Sequence, residues 1–557
     1  MNFKKYIIPG LVFFILSCGT ATEIEEPVAE TTDSESSVSD FWKNATVYFL
    51  LTDRFNNGDP SNDLPFDRKK DGAVLRSFEG GDLKGITQKI EEGYFDKLGV
   101  NAIWMTPVIE QIHGFTDEGT GKTYGYHGYW AKDWTVLDPN FGTEEDFAEL
   151  ISAAHDRGIR ILMDVVINHT GPVTDLDAQW PDAWVRTDPA CVYQDFETTV
   201  TCTLVENLPD IRTESDAAVD LPPFLVEKWE AEGRLDQELQ ELDAFFAETG
   251  YPRSPRFYII KWLTDWIRKY GVDGFRVDTV KHTEAGIWKE LKEACIDAFQ
   301  AWKAENPSQV LDDEDFYMVG EVYGYYIEGE KMYDYGDRKV DFFANGFESL
   351  INFSFKQDAT NSYESLFSKY STILNNDNMG SVSVLNYLTS HDDGSPFDAD
   401  RSKGHETATK LLLSPGAAQI YYGDETARPL IIEGTNGDAT LRSFMNWGDL
   451  DKESHQALLA HWQKLGQFRK NHLAIGAGQH EQLQESPYLF KRTLESNDDK
   501  VLIGLDLSSG AKEISVYETF KDGTEVRDFY SGSVITVENG AVLINSPYDI
   551  VLLEEAE

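Results

Sequence analysis

Short apolar runs alternate with longer amphipathic stretches along most of the chain. The short runs are rich in β-branched and aromatic residues and predict strands, whereas the longer stretches repeat their apolar positions with a helical period. Alternating β and α units imply a parallel sheet covered by helices, and a pattern that runs for more than roughly 250 residues favours an α/β fold closed into a (β/α)8 TIM barrel. The predicted strands are Val47–Leu50, Ala102–Met105, Ile159–Asp164, Gly274–Val277, Phe316–Gly320 and Ala418–Tyr422, and the predicted helices are Ile86–Leu98, Glu144–Arg157 and Phe257–Tyr270.

One interruption and one change of pattern divide the chain. After the third strand the pattern becomes irregular, rich in Pro and Asp, and holds two closely spaced cysteines. Because barrels build their clefts from such long insertions, we expect an inserted domain at about residues 170–255. After a helix ending near Arg469, short strands separated by turns predict a C-terminal antiparallel β-sandwich over residues 471–557. The barrel is therefore assigned to residues 41–470.

The N-terminus carries an export signal. Two lysines precede the apolar run Tyr6–Leu16, which is too short for a permanent membrane span and is followed by Ser-Cys-Gly. This arrangement resembles a bacterial lipobox, so we expect residues 1–17 to be a signal peptide and Cys18 to be an acylated mature N-terminus. An ordinary signal peptide with an incidental cysteine is the alternative. Residues 18–40, rich in Glu, Thr and Ser, predict a flexible tether.

These features predict an extracytoplasmic protein that is anchored by lipid to a bacterial membrane. The outer membrane is favoured, and exposure at the cell surface is compatible with this prediction. Since that compartment is oxidising, Cys191 and Cys202 are expected to form a disulfide. Cys295 lies in a helical pattern and is expected to be a buried small hydrophobe.

The formal net charge of −48 limits the classes of partner that the protein can bind. An acidic surface of this size repels phosphate backbones, so nucleic-acid binding is not expected. It also supplies carboxylates that could hold calcium. The sequence makes no prediction of oligomeric state.

Polar residues follow four of the apolar segments, where strands of a barrel end. A single carboxylate at such a position is often only a helix N-cap. Four in succession on a barrel pattern indicate an active site, because barrel sites gather at the C-terminal ends of the strands. The four segments are Asp164–His169, Gly274–His282, Val319–Glu321 and Ser390–Asp393.

From about Val47 to Arg469 the sequence resembles the α-amylase family of glycoside hydrolases, including cyclodextrin glucanotransferases. The segments that carry the resemblance most closely are Phe275–His282 and His127–Trp130. The resemblance implies a C-terminal sandwich domain as well as the barrel. One position departs from it, since Ser390 stands where an Asn is common and a second acid, Asp393, follows.

The resemblance assigns three catalytic acids. Asp278 would be the nucleophile, and Glu321 the general acid/base, whose pKa must be raised for it to hold a proton near neutral pH. Asp392 would bind sugar hydroxyls and stabilise the oxocarbenium-like transition state. Substrate-binding roles fall on Tyr129, His169, Arg276, Lys281, His282 and His391.

The resemblance also implies two calcium sites. In the first, Asn168 and Asp210 would bind the ion together with the carbonyl oxygen of His282. The second would lie in a loop close to the N-terminus, and the alternative for that loop is a polar, turn-rich segment without metal. Its ligands would come from Asn57, Asp59, Asn62, Asp63, Asp82 and the carbonyl oxygen of Gly80.

These residues predict a retaining, endo-acting hydrolase of α-1,4-glucosidic bonds in starch-like α-glucans. Lys281 and His282 after the nucleophile favour polymers over small α-1,6 oligosaccharides. A cyclodextrinase, neopullulanase or glucanotransferase of the same family is the alternative. A glycan-binding surface protein without catalysis is less favoured, because it would lack the acids that this sequence retains.

Overall fold

Eight parallel strands form a closed barrel in the computed structural model, which describes residues 37–117 and 119–556. Each strand hydrogen-bonds to the next in chain order, and pairing of Thr46 with Ala418 closes the circle between the last and the first. The (β/α)8 TIM-barrel prediction is therefore confirmed. The barrel strands are β1 Thr46–Leu50, β2 Ala102–Met105, β3 Arg160–Val165, β4 Gly274–Val277, β5 Tyr317–Gly320, β6 Ser349–Asn352, β7 Ser383–Tyr387 and β8 Ala417–Tyr421.

Helices cover the barrel after every strand except β5. Within residues 321–348, all of which the structure describes, there are only 3-10 turns and a short antiparallel pair, Met332–Asp334 with Lys339–Asp341. The covering helices are α1 Leu83–Glu91, α2 Glu144–His155, α3 Pro255–Tyr270, α4 Ala285–Glu305, α5 Tyr363–Leu374, α6 Gly404–Leu412 and α7 Glu453–Asn471. Shorter helices are Asp40–Asn44, Thr52–Phe55, Tyr94–Lys97, Phe355–Asp358 and Ala474–Ala477.

Two differences from the predicted elements have local causes. The helix predicted over Ile86–Leu98 is broken at Gly93, whose φ of 69° lies in the left-handed region that ends helices. Strands β6 and β7 escaped prediction because each carries a buried asparagine. Asn352 donates to the amide oxygen of Asn386 at 2.9 Å, so these polar side chains satisfy each other inside the barrel.

The long insertion after β3 contains little regular structure before its two helices, Pro223–Ala231 and Leu235–Thr249. Its first part holds a two-residue antiparallel pair, Val185–Arg186 with Asp210–Ile211, and the helix Glu197–Val200. Cys191 and Cys202 form a disulfide with an S–S distance of 2.01 Å. Cys295, outside the insertion, is a buried free cysteine in α4.

The C-terminal part is an antiparallel β-sandwich of a six-stranded and a two-stranded sheet. Side chains of both sheets, such as Val526 and Ile544, share one apolar core, as the alternation along each strand requires. The strands are β9 Gln479–Gln484, β10 Tyr488–Leu494, β11 Asp499–Leu505, β12 Gly510–Ser515, β13 Glu525–Asp528, β14 Ser533–Thr536, β15 Ala541–Ser546 and β16 Val551–Glu555.

The start of the folded part corrects one boundary. Residues 38–40, which the sequence assigns to the tether, belong to the barrel domain, because Val38 is buried and Ser39 caps the helix Asp40–Asn44. The predicted signal peptide, Cys18 and the tether up to residue 36 lie outside the described residues. Among the residues that the structure describes, no helix has the length and apolarity needed to cross a membrane.

Candidate active site

A single buried arginine organises the carboxylates at the C-terminal end of the barrel. Arg276 lies in β4 beside Asp164 of β3, with which it is paired in register. One nitrogen of its guanidinium, Nη1, lies 2.8 Å from Asp164 Oδ1 and 2.8 Å from Asp278 Oδ1. The other, Nη2, lies 2.9 Å from Glu321 Oε2. One fixed cation therefore holds three acids from three neighbouring strands.

Strand register explains why two of these acids meet. Val277 at the end of β4 is paired with Gly320 at the end of β5, so the next residues, Asp278 and Glu321, leave the sheet side by side. Arg276 stands two residues before Asp278 and shares its face of the strand. The backbone N–H of Asp278 donates to the carbonyl oxygen of Val165, which ties its position to β3.

Asp164 is bound on every side and serves as a support for the other groups. Its Oδ2 accepts hydrogen bonds from Trp104 Nε1 at 2.9 Å and from the Tyr129 hydroxyl at 2.8 Å. Because these donors and Arg276 surround it, the Asp164 carboxylate is buried and cannot act as an exposed acid. The Tyr129 ring is thereby fixed, and it lies 5.3 Å from the ring of His391, nearly parallel to it.

The backbone directly after Asp278 is strained. Thr279 is a β-branched residue with φ of 50°, a conformation that costs free energy and persists only where the surroundings impose it. In this conformation its N–H donates to Glu321 Oε2 at 3.1 Å. The strained conformation therefore places a backbone N–H group that orients the Glu321 carboxyl group.

The acids open onto one cavity of about 550 Å³. Asp278 and Glu321 are almost completely buried in its floor, whereas Asp392 is exposed to it. The size suits a few sugar rings, within the usual range of ligand pockets. The lining residues are Tyr129, Tyr193, Asp278, Thr279, Lys281, His282, Glu321, Tyr323, His391, Asp392 and Arg442.

Asp392 keeps a hydrogen-bonded position despite the departure at Ser390. The Ser390 hydroxyl donates to Asp392 Oδ1 at 3.2 Å and therefore substitutes for an amide donor. Asp393 does not compete for the cavity, because it forms an ion pair with Lys356 and accepts from the Tyr387 hydroxyl at 2.7 Å.

The remaining sequence-predicted residues differ in how they reach the cavity. Lys281 and His282 line it, and the ring of His282 is fixed by a 2.8 Å contact from Nδ1 to the carbonyl oxygen of Thr199. His169 is buried, and its Nε2 faces the carbonyl oxygen of Tyr129 at 3.1 Å. It is not among the described residues that line the cavity.

Four cavity residues were missed by the sequence analysis: Thr279, described above, and three more distant residues. Arg442 donates from Nε to the carbonyl oxygen of His391 at 2.9 Å, yet it lies far along the chain in a 3-10 turn with no local signal. Tyr193 and Tyr323 are exposed aromatic residues that face Lys281 from opposite loops. Tyr323 follows Glu321 by two residues, and that spacing could have identified it.

Burial dominates the pKa values of the acids. It raises the pKa of Asp278 to about 6, against the opposing charge of Arg276. Burial raises the pKa of Glu321 further, to about 8, because the nearby charges of Asp278 and Asp392 add to it while Arg276 opposes. The environments thus separate the pKa values of the two carboxyl groups in the order expected for an ionised nucleophile and a protonated general acid.

Three oxygen donors converge at the first candidate metal position. The Asn168 side-chain amide has one end 2.9 Å from the carbonyl oxygen of His282 and 3.3 Å from Asp210 Oδ1. With its oxygen turned inward, this set matches the oxygen ligands that calcium takes. The other carboxylate oxygen of Asp210 lies 3.0 Å from Arg186 Nε. The backbone N–H of Ile211 donates to the carbonyl oxygen of Asn168, which joins the insertion to the barrel here.

The second candidate position is a loop with unused oxygen atoms. The amide oxygens of Asn57 and Asn62 are buried and have no hydrogen-bond partner. Asn57 Nδ2 donates to Asp63 Oδ1 at 2.8 Å, which turns the Asn57 oxygen away from that carboxylate. Asp82 accepts four hydrogen bonds, three of them from the backbone N–H groups of Gly58, Asp59 and Gly85.

The rest of this loop is less uniform as a ligand set. Asp59 accepts from both the N–H and the hydroxyl of Ser61, so one of its oxygens is occupied. A Cβ at Gly80 would lie 2.5 Å from Asn57 Nδ2 and Asp63 Oδ1, so this position must stay glycine. Within the described ranges, 37–117 and 119–556, no group of three His, Cys, Asp or Glu clusters as a metal site. Both candidates therefore depend on amide and carbonyl oxygens.

A closed barrel whose strand ends hold buried carboxylates around a sugar-sized cavity is an architecture of enzymes that cleave glycosidic bonds. The family model described as alpha amylase, catalytic domain, matches residues 49–446. The chain belongs to the α-amylase family, and it is a glycoside hydrolase of the α-amylase type.

Individual relatives agree with this assignment. The chain is 39% identical to the periplasmic alpha-amylase of Escherichia coli K12 over 531 residues, which cover 85% of this chain and 74% of that protein. It is 25% identical over 566 residues to a cyclomaltodextrin glucanotransferase of Bacillus sp. strain 1-1, covering 97% of this chain and 70% of the relative. The Geobacillus thermoleovorans alpha-amylase structure, a complex with acarbose, superposes with a TM-score of 0.63 at 20% identity, covering 93% of this chain and 99% of that one.

Proposed function

We propose that the protein hydrolyses internal α-1,4-glucosidic bonds of starch-like α-glucans with retention of configuration. The observation that carries this proposal is the guanidinium of Arg276, which bridges Asp278 and Glu321 in the floor of one cavity. Retaining glycosidases need two carboxyl groups only about 5–5.5 Å apart, and a shared cation favours that short separation.

The chemistry follows from the two environments. Asp278, ionised, attacks the anomeric carbon while Glu321 gives its proton to the glycosidic oxygen, so the C–O bond breaks and a glycosyl ester forms. Glu321, now a carboxylate, takes a proton from water as the water oxygen attacks the anomeric carbon. The ester bond breaks, Asp278 regains its charge, and Glu321 regains its proton. Asp392, exposed to the cavity, is proposed to bind sugar hydroxyls and to stabilise positive charge on the ring.

The shape of the surroundings favours cleavage inside a chain. A larger cavity of about 850 Å³ shares Tyr129 and Arg442 with the cavity of the acids. A glucan bound at the acids can therefore continue past Tyr129 in that direction. A blind pocket at this point would instead favour removal of sugars from chain ends. The relatives named alpha-amylase support the same substrate class.

A transferase is the second candidate, supported by the aromatic residues beside Lys281. Tyr193 and Tyr323 lie with their ring centres 5.8 and 5.3 Å from Lys281 Nζ and line the cavity of the acids, not the larger cavity. Aromatic faces at that point could hold an acceptor sugar long enough to replace water. The glucanotransferase among the relatives makes this candidate concrete.

Product analysis tests the proposal and separates the two candidates. The wild-type enzyme is incubated with amylose, pullulan and cyclodextrin, and products are followed by chromatography and by NMR of the newly formed anomeric centre. Hydrolysis of amylose to mixed oligosaccharides that first appear in the α configuration is the expected result. Products of β configuration would overturn the retaining mechanism, and cyclic or elongated products as the main yield would favour the transferase.

The pH dependence of kcat/KM should be bell-shaped. The active form has Asp278 ionised and Glu321 protonated, so activity rises as the pH passes about 6 and falls as it passes about 8. These two values belong to the coupled pair of acids. Initial rates at low substrate concentration over the whole range provide the measurement. A profile without an alkaline limb would contradict Glu321 as the group that supplies the proton.

We also propose that calcium binds at the two loop positions. Asn168, Asp210 and the His282 carbonyl would hold one ion, and the Asn57 to Asp63 loop with Asp82 and the Gly80 carbonyl would hold the other. The converging oxygens at the first and the unpartnered amide oxygens at the second support the proposal. The first ion would stabilise the junction between the insertion and the barrel, beside the cavity.

Calcium removal should therefore destabilise the enzyme. A ligand that binds only the folded state contributes about 4 kcal/mol when its free concentration is about a thousand times Kd. Thermal unfolding with and without a chelator, combined with analysis of bound calcium, measures the effect. Asp210→Asn and Asp82→Asn should each reduce the bound calcium and the response to the chelator. Unchanged stability together with no bound calcium would refute both positions.

The protein is proposed to be an extracytoplasmic lipoprotein anchored through Cys18. The Cys191–Cys202 disulfide and the periplasmic relative support export. Cells that express the full chain should incorporate labelled fatty acid into the protein and retain it in the membrane fraction. Cys18→Ala should abolish the labelling, and a wild-type chain that carries no label would disprove the anchor.

A further inference from the structure

A further cavity, of about 680 Å³, lies on the loop that follows β5. It is distinct from the larger cavity past Tyr129 and is called the second cavity, the catalytic cavity of the acids being the first. This loop carries Glu321 at its start and occupies the place where the barrel has no covering helix. Aromatic and apolar side chains form one part of the cavity, and polar groups of the segment after β6 form the other. Residues that define it are Tyr326, Met332, Tyr333, Gln357 and Asp358.

The two cavities are joined through Lys281. Its Nζ donates to the carbonyl oxygen of Tyr323 at 3.1 Å and to the Tyr333 hydroxyl at 3.3 Å. Lys281 and Tyr323 line the catalytic cavity, whereas Tyr333 and Gly324 line the second. Glu321 is proposed to give its proton to the leaving group, so that group lies on the side of the loop that begins with Glu321. The second cavity therefore continues the first one on this leaving-group side.

This loop exposes an unusual amount of aromatic and apolar surface. Tyr323 is 52% exposed, Tyr326 is 55% exposed and Met332 is 38% exposed. Exposed side chains of this kind that cluster beside a cleft mark a binding surface. Tyrosine suits a sugar ligand, because its ring packs on the apolar face of a pyranose while its hydroxyl stays hydrated.

The loop is held in place before any ligand binds. The Tyr325 hydroxyl donates to the carbonyl oxygen of Glu330 at 2.7 Å, and the N–H of Phe353 donates to the carbonyl oxygen of Tyr325 at 3.0 Å. Asn376 donates to Glu330 Oε1 at 2.9 Å, which fixes the turn to the segment after α5. A platform fixed in this way loses little conformational entropy when it binds a ligand.

We propose that the second cavity binds the reducing-end extension of the glucan whose scissile bond lies between Asp278 and Glu321. Tyr326 provides the stacking platform, and Gln357 and Asp358 bind sugar hydroxyls. This inference rests on the proposed function and extends it, because it assigns the enzyme a preference for long leaving groups. The continuity through Lys281 identifies the occupant as the same polysaccharide chain.

Two readouts test the inference with Tyr326→Ala. Loss of one stacked ring should lower the ratio of kcat/KM on amylose to that on a short maltooligosaccharide by about two- to tenfold. On a maltooligosaccharide labelled at its reducing end, the labelled products should become shorter. This bond preference depends only on the folded, active fraction, so partial misfolding does not mimic it. Tyr326→Phe should behave as wild type.

Tyr517→Ala is the matched control, since Tyr517 is 69% exposed in the C-terminal sandwich. It should leave the ratio and the cleavage pattern unchanged. An unchanged ratio and pattern in Tyr326→Ala would overturn the inference while leaving the proposed function intact. A wild-type enzyme that cleaves neither substrate would instead overturn the proposed function.

Discussion

Replacing Asp278 by Asn should lower kcat on amylose by on the order of 10⁴-fold. The amide has the shape of the carboxylate but cannot form the glycosyl ester, and the adjacent Asp164 cannot replace it because its oxygens are occupied by hydrogen-bond donors. The loss should be equally large with α-maltosyl fluoride, whose leaving group needs little protonation. Rates on both substrates are measured on purified protein after its folding has been checked by circular dichroism.

Glu321→Gln provides the contrast that assigns the roles. Loss of the proton donor should cost about 10²–10⁴-fold on amylose, but much less on α-maltosyl fluoride. Glu481→Gln, an exposed carboxyl in the C-terminal sheet, is the control for the chemical change and should have no effect. Release of sugar from amylose at the wild-type rate by either active-site variant would end the proposed mechanism.

Arg276→Leu should cost about 3–5 kcal/mol of folding stability near neutral pH. The substitution leaves Asp164, Asp278 and Glu321 buried without their common cation. Their folded-state pKa values should rise, so the variant binds protons on folding and recovers stability as the pH falls. The loss should therefore shrink in acid, whereas a loss due to packing alone would not depend on pH.

Urea denaturation at several pH values measures this effect. Arg276→Lys retains a charge but cannot bridge three carboxylates, so it should lose less stability and shift the acid limb of the pH profile upward. Arg338→Leu removes an exposed arginine paired with Asp337 and should change stability by no more than about 0.5 kcal/mol. A pH-independent loss in Arg276→Leu would contradict the electrostatic explanation.

The catalytic segments could be located from sequence because barrel strands place their following residues at one face. Gly274–Val277 is both the predicted and the observed strand, so Asp278 had to emerge at the end of the barrel. The same holds for Glu321 after Gly320. The catalytic roles of Asp278 and Glu321 came from the family resemblance, because periodicity alone does not assign a role to either acid.

Other parts of the site depend on contacts between distant residues. Arg442 reaches His391 across 51 residues. Tyr193 faces Lys281 only because the insertion folds back over the barrel. No local pattern encodes such contacts, since they result from the packing of complete elements. Strands β6 and β7 were missed for a related reason. The buried amide of Asn352 in β6 is hydrogen-bonded by Asn386, which lies in β7.

Patterns along the chain were enough to predict the alternation of strands and helices, the positions of the acids at strand ends, and the division into barrel, insertion and sandwich. Each of these depends on short-range periodicity or on residues adjacent in the chain. Three other properties could be seen only in the tertiary structure. Arg276 joins three acids, burial separates the pKa values of Asp278 and Glu321, and a second cavity adjoins the catalytic one. These properties arise from strand register, barrel closure and exclusion of water, which exist only after the chain has folded.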